Sequence, residues 1–116
     1  MEYVSTKNAP DAIGPYSQAV KANGLLFTSG QIAINPATGN VEAETIEDQT
    51  VQVCENLKAV CEAAGTSVEK AVKTVCYLAD MDDFAAFNGV TADTLRASRH
   101  EAVLRLKHCQ RVFSVK

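Results

Sequence analysis

The order of strand-like and helix-like segments predicts an α/β or α+β fold, a mixed β-sheet with two helices packed on one face. Strand-like segments at 17–22, 25–29 and 68–78 alternate with helix-like segments at 45–64 and 84–90. Three strands make a small sheet for a chain of this length. We therefore expect further strands after the second helix.

The first two strands are predicted to form a β-hairpin. Asn23 and Gly24 stand between them, and both central residues of a type I′ turn need a positive φ, which these two residue types adopt readily. Another turn is predicted at 35–40, where Asn, Pro, Thr and Gly occur together.

The segment 45–64 is predicted to be an amphipathic helix. Thr45 and Asp48 resemble a capping box in its Asp form, and Gly65 suits the position after the helix. Its apolar residues recur at nearly helical period: Ile46, Val53, Leu57, Val60, Cys61 and Ala64.

The second half of the chain is predicted to hold a buried strand at 68–78, rich in β-branched residues between 71 and 78. The acidic stretch at 80–83 can cap the second helix, which carries Phe84, Phe87 and Val90. A further strand within 103–115 is only weakly specified.

Composition favours a single soluble domain spanning 1–116. The net charge of −3 gives no reason to expect nucleic acid or an acidic membrane as a partner. The N-terminus lacks a basic region followed by an apolar one, so we expect a cytoplasmic protein. The four cysteines have no CxxC spacing, which argues against zinc, and Cys54 and Cys61 are predicted to be buried small hydrophobes.

Charge is distributed unevenly about Val90. Residues 1–90 carry five lysines and twelve acidic residues, whereas 91–116 carry six basic and two acidic residues. All arginines and both histidines lie after Val90. This tail has three interpretations: a basic segment for nucleic acid, a solvated helix face, or a segment with which the fold did not evolve.

Several motifs follow one another between 3 and 90 at regular spacing. They are Ile13-Gly14-Pro15-Tyr16-Ser17-Gln18-Ala19, Phe27-Thr28-Ser29-Gly30-Gln31, Asn35-Pro36-Ala37-Thr38-Gly39, Gln49-Thr50, Asn56-Leu57, Ala63-Ala64-Gly65 and Asp82-Asp83-Phe84-Ala85-Ala86-Phe87-Asn88. This ordered set resembles the RidA/YjgF family. One such motif would be weak evidence, but the set is specific.

The resemblance implies a chorismate-mutase-like fold in a homotrimer, with the sheets around a central β-barrel-like core and an active site in each cleft between subunits. It implies an enamine/imine deaminase that converts 2-aminoacrylate and related 2-imino acids to 2-oxo acids and ammonia, without a metal or other cofactor. The implied partner is therefore a small 2-imino or 2-oxo acid, and neither a membrane nor a nucleic acid is expected.

The family's site positions match Tyr16 as a catalytic residue and Ser29, Gly30 and Asn88 as substrate-binding residues. Taken singly, Tyr16 is better interpreted as a turn residue after Gly-Pro, and Ser29 as a hydroxyl at the end of a strand. The surrounding motifs reverse that preference for both residues.

The resemblance ends after Val90, before the segment in which the family carries its carboxylate-binding arginine. We hypothesise that 91–116 is this segment translated one nucleotide out of frame, with a divergent tail as the alternative. If His100 and Glu101 are encoded CAC-GAA, the shifted codon CGA encodes arginine, and 107–111 can likewise give Ala-Leu-Pro-Lys.

Two other functions are compatible with the same scaffold. One is a catalytically inactive module that binds a small ligand and has a regulatory role, because fold does not settle function. The other is an endoribonuclease or translation inhibitor, as some members of the family have been described. The absence of histidine from residues 1–90 disfavours the endoribonuclease.

The shifted-frame hypothesis predicts that one inserted base near codon 90 restores the family segment, including its arginine. Sequencing the coding DNA and measuring the intact mass of the protein test this. If the measured mass equals that of the 116-residue sequence, and the DNA is confirmed to encode that sequence, the tail is genuine.

Overall fold

The computed structural model describes residues 1–95, 101–106 and 112–115. They form a mixed six-stranded sheet in the order β1-β2-β3-β6-β4-β5 and two α-helices. All neighbouring strands are antiparallel except β4 and β5, which are parallel. The elements are β1 (Glu2–Val4), β2 (Ala19–Ala22), β3 (Leu25–Thr28), α1 (Ile46–Ala63), β4 (Ala71–Leu78), α2 (Phe84–Leu95), β5 (Glu101–Leu106) and β6 (Val112–Val115).

The predicted hairpin is confirmed. Asn23 and Gly24 join β2 to β3 with φ angles of 53° and 75°, as a type I′ turn requires. The register pairs Ala22 with Leu25 and Ala19 with Thr28. Both strands are slightly shorter than their predicted segments.

The predicted amphipathic helix is confirmed at both ends. The Thr45 hydroxyl accepts a hydrogen bond from the Asp48 backbone N–H at 3.1 Å, which satisfies one of the unpaired donors of the first turn. Ala64 ends the helix, and Gly65 follows with a φ of 82°. The apolar stripe is buried at Val53, Leu57, Val60 and Cys61.

The next strand begins at Ala71 and not at residue 68, and the next helix ends at Leu95 and not at residue 90. Residues Val68–Lys70 form a short 3-10 helix before β4 begins. The Asp80 carboxylate accepts a hydrogen bond from the Asp82 N–H at 2.9 Å. It therefore caps a 3-10 turn, Met81–Asp83, that leads directly into α2.

The strands expected after the second helix are present as β5 and β6, in place of the single weak strand within 103–115. β6 lies between β3 and β4, in the interior of the sheet. The short β1, which pairs with β2, had no sequence prediction. Residues 96–100, 107–111 and 116 lie outside the described part, so the interpretations of Arg96, Arg99, His100, His108, Cys109 and Arg111 lie outside it too.

The helices pack on one face of the sheet, as predicted. Leu57 and Val60 of α1 and Phe87 of α2 join Leu26 of β3 and Leu78 of β4 in one buried cluster. Across the described residues, no helix is both long and apolar enough to cross a membrane. On the opposite face of the sheet, the side chains of Tyr3, on β1, and Phe27, on β3, are exposed.

Candidate functional site

Two chain segments meet where β3 ends and β2 begins. The Ser29 backbone N–H donates to the Gln18 carbonyl at 2.9 Å, and the Ser29 hydroxyl donates to the Ser17 carbonyl at 2.5 Å. These bonds continue the pairing of Ala19 with Thr28 beyond the end of the strands. Because two bonds fix it, Ser29 has little freedom relative to the residues before β2.

Tyr16 lies in the turn that precedes this junction. Its backbone N–H donates to the Gly14 carbonyl at 2.9 Å, and its phenolic oxygen accepts a bond from the Ile13 N–H at 3.3 Å. The φ of Gly14 is 133°, a conformation that other residues rarely adopt. The ring is 51% exposed, so the turn presents an orientated phenol to its surroundings.

The buried side chain of Gln18 anchors the segment before this turn. Its Nε2 donates to the Thr6 and Pro10 carbonyls at 2.9 Å each and to the Ala9 carbonyl at 3.3 Å. Its Oε1 accepts from the Thr6 N–H at 2.6 Å. The turn that carries Tyr16 is therefore held at both ends, by the side chain of Gln18 and by the bonds of Ser29.

A cavity of about 310 Å³ lies beside the residues that follow Gly30. Strands β3 and β4 run in the same direction, because each is antiparallel to β6, so their carboxyl ends share one edge of the sheet. Gln31 follows β3 and Tyr77 lies near the end of β4, and both line the cavity. The rest of the wall is Ile32, Ala33, Val41, Gln49 and Val53. Ligand sites have this character, with mostly apolar walls and few polar groups.

The structure brings three of the four predicted site residues to one edge of the sheet. Tyr16 and Ser29 are joined through residues 17 and 18, and Gly30 follows with an exposed backbone. Asn88 lies on α2 and is exposed, and its backbone carbonyl accepts a bond from the Thr91 hydroxyl at 3.3 Å. Within residues 1–94, no hydrogen bond links the Asn88 side chain to the other three.

The cysteines of α1 are buried, as predicted, and Cys61 is unsuited to nucleophilic chemistry. Its burial, with a smaller contribution from the neighbouring Glu62 carboxylate, raises the pKa of the Cys61 thiol to about 11. The thiol is therefore protonated at neutral pH, and the thiolate is the reactive form. In the described part of the chain, His, Cys, Asp and Glu side chains form no cluster that could hold a metal ion.

Two buried amides near the site had no predicted role. Gln18 is 4% exposed and Asn56 is 1% exposed. Asn56 Nδ2 donates to the carbonyls of Ile32 and Ile34 at 3.1 and 2.9 Å. A polar residue within the apolar stripe of α1 was the available signal, since buried polar side chains are usually hydrogen-bonded.

Comparison with known families agrees with this fold and these motifs. The family model described as endoribonuclease L-PSP matches residues 6–107, which include all the motifs quoted above. The chain belongs to this family. The motif resemblance to RidA/YjgF proteins is thereby confirmed, because relatives of this chain carry Rid-family names.

Three relatives illustrate the match. A RutC family protein of Pyrococcus horikoshii is 51% identical over 98 residues, which cover 84% of this chain and 78% of that protein. Reactive Intermediate Deaminase A of Arabidopsis thaliana, a chloroplastic protein, is 47% identical over 91 residues, 78% of this chain and 49% of that protein. The crystal structure of Escherichia coli TdcF with bound serine is 32% identical, with a TM-score of 0.89 over 99% of this chain and 98% of that one.

Replacement of the anchoring amide should destabilise the protein. Gln18→Leu leaves the polar backbone groups of Thr6 and Pro10 without their buried partner, so we expect a loss of about 2–3 kcal/mol in the free energy of unfolding. Urea unfolding at fixed protein concentration measures this.

Gln49→Leu is the matched control, because among the described residues the Gln49 side chain donates one bond, to the Ala43 carbonyl at 3.0 Å. We expect it to cost about 1 kcal/mol or less. Equal losses in the two variants would contradict the anchoring role of Gln18.

Proposed function

We propose that this protein is an enamine/imine deaminase that hydrolyses 2-aminoacrylate and related 2-imino acids to 2-oxo acids and ammonia. The observation that carries the proposal is that Ser29 is bonded to residues 17 and 18, which directly follow Tyr16, at the sheet edge where Gly30 leads into a largely apolar cavity. The cavity is of a size suited to a small molecule.

The two hydroxyls offer complementary hydrogen-bonding groups. Ser29 donates its proton to the Ser17 carbonyl, so the lone pairs of its oxygen can accept a bond from water. Tyr16 accepts a bond from the Ile13 N–H, so its own O–H proton can be donated to substrate. One acceptor and one donor are the groups needed to orientate water and protonate a leaving amine.

The reaction needs few protein groups. 2-Aminoacrylate takes up a proton at C3 and loses one from nitrogen, which gives 2-iminopropanoate. Water then adds to C2 and one of its protons passes to nitrogen. The C2–N bond of the tetrahedral adduct breaks as the hydroxyl proton also passes to nitrogen, which gives ammonia and the 2-oxo acid. In our proposal Ser29 holds the water, Tyr16 donates to the nitrogen, and the exposed backbone of Gly30 lets substrate approach closely.

The named relatives support this choice of substrate class. The Arabidopsis thaliana relative is named a reactive intermediate deaminase, and the Escherichia coli TdcF structure holds serine. Serine has the carbon skeleton of 2-aminoacrylate, a three-carbon chain with a carboxylate and nitrogen on C2. A fold that accommodates serine can thus accommodate the proposed substrate.

A specific observation favours the second candidate, an inactive ligand-binding module. The tail, residues 91–116, has no arginine at the position where the family carries its carboxylate-binding arginine. Loss of a charged, hydrogen-bonded partner costs about 2–5 kcal/mol of binding. If the tail is genuine, we therefore expect little deaminase activity from the 116-residue chain, and high activity when the segment is restored in frame.

The deaminase proposal predicts that 2-aminoacrylate, generated in situ by a serine dehydratase, disappears faster when the frame-restored protein is present. Tyr16→Phe removes the proposed proton donor and should lower kcat about 100-fold, the scale of general acid catalysis. Tyr3→Phe is the control, since it removes a hydroxyl from a 69%-exposed tyrosine on β1 that has no proposed role in the reaction and keeps the ring.

No acceleration by the restored protein, together with binding of 2-oxobutanoate, would favour the module over the enzyme. Equal rates for Tyr16→Phe and the wild type would remove Tyr16 from the mechanism. A parallel assay of the 116-residue chain without frame restoration shows how far activity depends on the restored segment.

We also propose that the protein is a homotrimer, with the uncovered sheet face of each subunit directed to the centre. Tyr3, Val20 and Phe27 are aligned across β1, β2 and β3 by the strand register. Tyr3 is 69% and Phe27 46% exposed, although the other face of the same strands contributes Val4, Ala19 and Leu26 to the core. Large exposed apolar side chains in a row mark a surface for association.

The trimer predicts three times the mass of one chain in light scattering. Phe27→Glu places a charge on the proposed interface and should yield monomers, because an unpaired buried charge is costly. Val51→Glu is the control, since Val51 lies on the outer side of α1 with 47% exposure. A monomeric wild type, or a Phe27→Glu variant that stays trimeric, would contradict this arrangement.

A further inference from the structure

The segment that follows Gly30 forms part of the cavity wall without belonging to a strand. Gln31, Ile32 and Ala33 line the cavity, but residues 29–34 have no regular secondary structure. Gln31 and Ala33 are buried, and because the segment forms no strand, its carbonyl groups need donors from outside a β-ladder. Its position therefore depends on whichever groups supply those donors.

Asn56 supplies two of them from α1. Its Nδ2 donates to the Ile32 and Ile34 carbonyls at 3.1 and 2.9 Å. The two carbonyls are two residues apart, and one amide group binds both. The side chain takes the place that a neighbouring strand would occupy.

The amide is itself held in one orientation. Asn56 Oδ1 accepts a bond from the Gln52 Nε2, one helical turn earlier, at 2.9 Å. Asn56 is only 1% exposed, so water has little access to its side chain. The contacts of Asn56 thus run from α1 to segment 31–34 and onward to the cavity.

We propose that Asn56 is a positioning residue for the candidate site, which holds segment 31–34 so that Gln31–Ala33 keep the shape of the cavity next to Ser29 and Gly30. This inference rests on the proposed function for its catalytic consequence. Asn56 does not line the cavity, so it acts through the segment and not on the substrate. Displacement of reacting groups by about 1 Å can lower a rate about 100-fold.

Thr50 provides a matched control in the same helix. It is fully buried, and its hydroxyl donates to the Ile46 carbonyl of its own helix at 2.6 Å. Thr50→Val removes a hydrogen bond within the helix and leaves both bonds from Asn56 to segment 31–34 in place. Asn56→Leu replaces a buried amide with an apolar side chain of similar size, and so removes both bonds to that segment.

The test compares the two variants by amide hydrogen exchange in the 116-residue chain and by steady-state kinetics in the frame-restored protein. We expect exchange at the amides of residues 31–34 to quicken about tenfold or more in Asn56→Leu and to stay within about twofold of wild type in Thr50→Val. We expect kcat to fall about 10- to 100-fold in Asn56→Leu, with KM changed less than about threefold. Gln52→Leu keeps both donors of Asn56 and should give a smaller loss.

A merely structural role predicts a different result. Both variants would then unfold more easily, and the folded fraction of each would keep the wild-type kcat and the wild-type exchange in segment 31–34. That result would overturn the proposal, as would quicker exchange with unchanged kcat. If the frame-restored protein hydrolyses no imine, the deaminase proposal fails separately, and unchanged exchange or unchanged affinity for 2-oxobutanoate in Asn56→Leu still overturns the positioning role.

Discussion

The packing of the apolar stripe of α1 against the sheet is the constraint on which the rest of the structure depends. Leu57 and Val60 are almost completely buried beside residues from β2, β3 and β4. Burial of such side chains stabilises a fold by about 1.5–3 kcal/mol each. Since 3.6 residues make one turn, this stripe fixes the rotation of the helix, and hence the direction in which every other side chain of α1 points.

That rotation also places the polar side chain of Asn56 inside the protein. Asn56 precedes Leu57 and is 1% exposed, so the packing that buries the leucine also buries the amide. An unpaired amide there would cost about 1–3 kcal/mol. Its bonds to the Ile32 and Ile34 carbonyls offset this cost and order a segment that lacks a strand partner. Core packing and the shape of the cavity are therefore linked through one residue.

The same logic applies at the start of β2. Gln18 is buried and satisfied by four bonds to the segment 6–10, and its backbone carbonyl accepts from Ser29. Polar residues thus connect irregular segments to regular ones on both sides of the candidate site. Because Gln18 and Asn56 are buried, their bonds are partly shielded from water and hold the Tyr16 turn and segment 31–34 more firmly than exposed bonds would.

The sequence by itself determined the elements whose signals are local. Thr45 and Gly65 bound α1 because caps act within one turn, and Asn23-Gly24 specified the hairpin because positive φ is a property of those residues. The ordered motifs likewise identified the family and indicated Tyr16 and Ser29 as candidate site residues. The tertiary structure alone decided that β6 enters between β3 and β4, that β1 pairs with β2, and that Gln18 and Asn56 bind their distant carbonyls. These features are non-local: a strand pairing or a buried amide finds its partner through packing of the whole chain, and no short stretch of sequence encodes that partner.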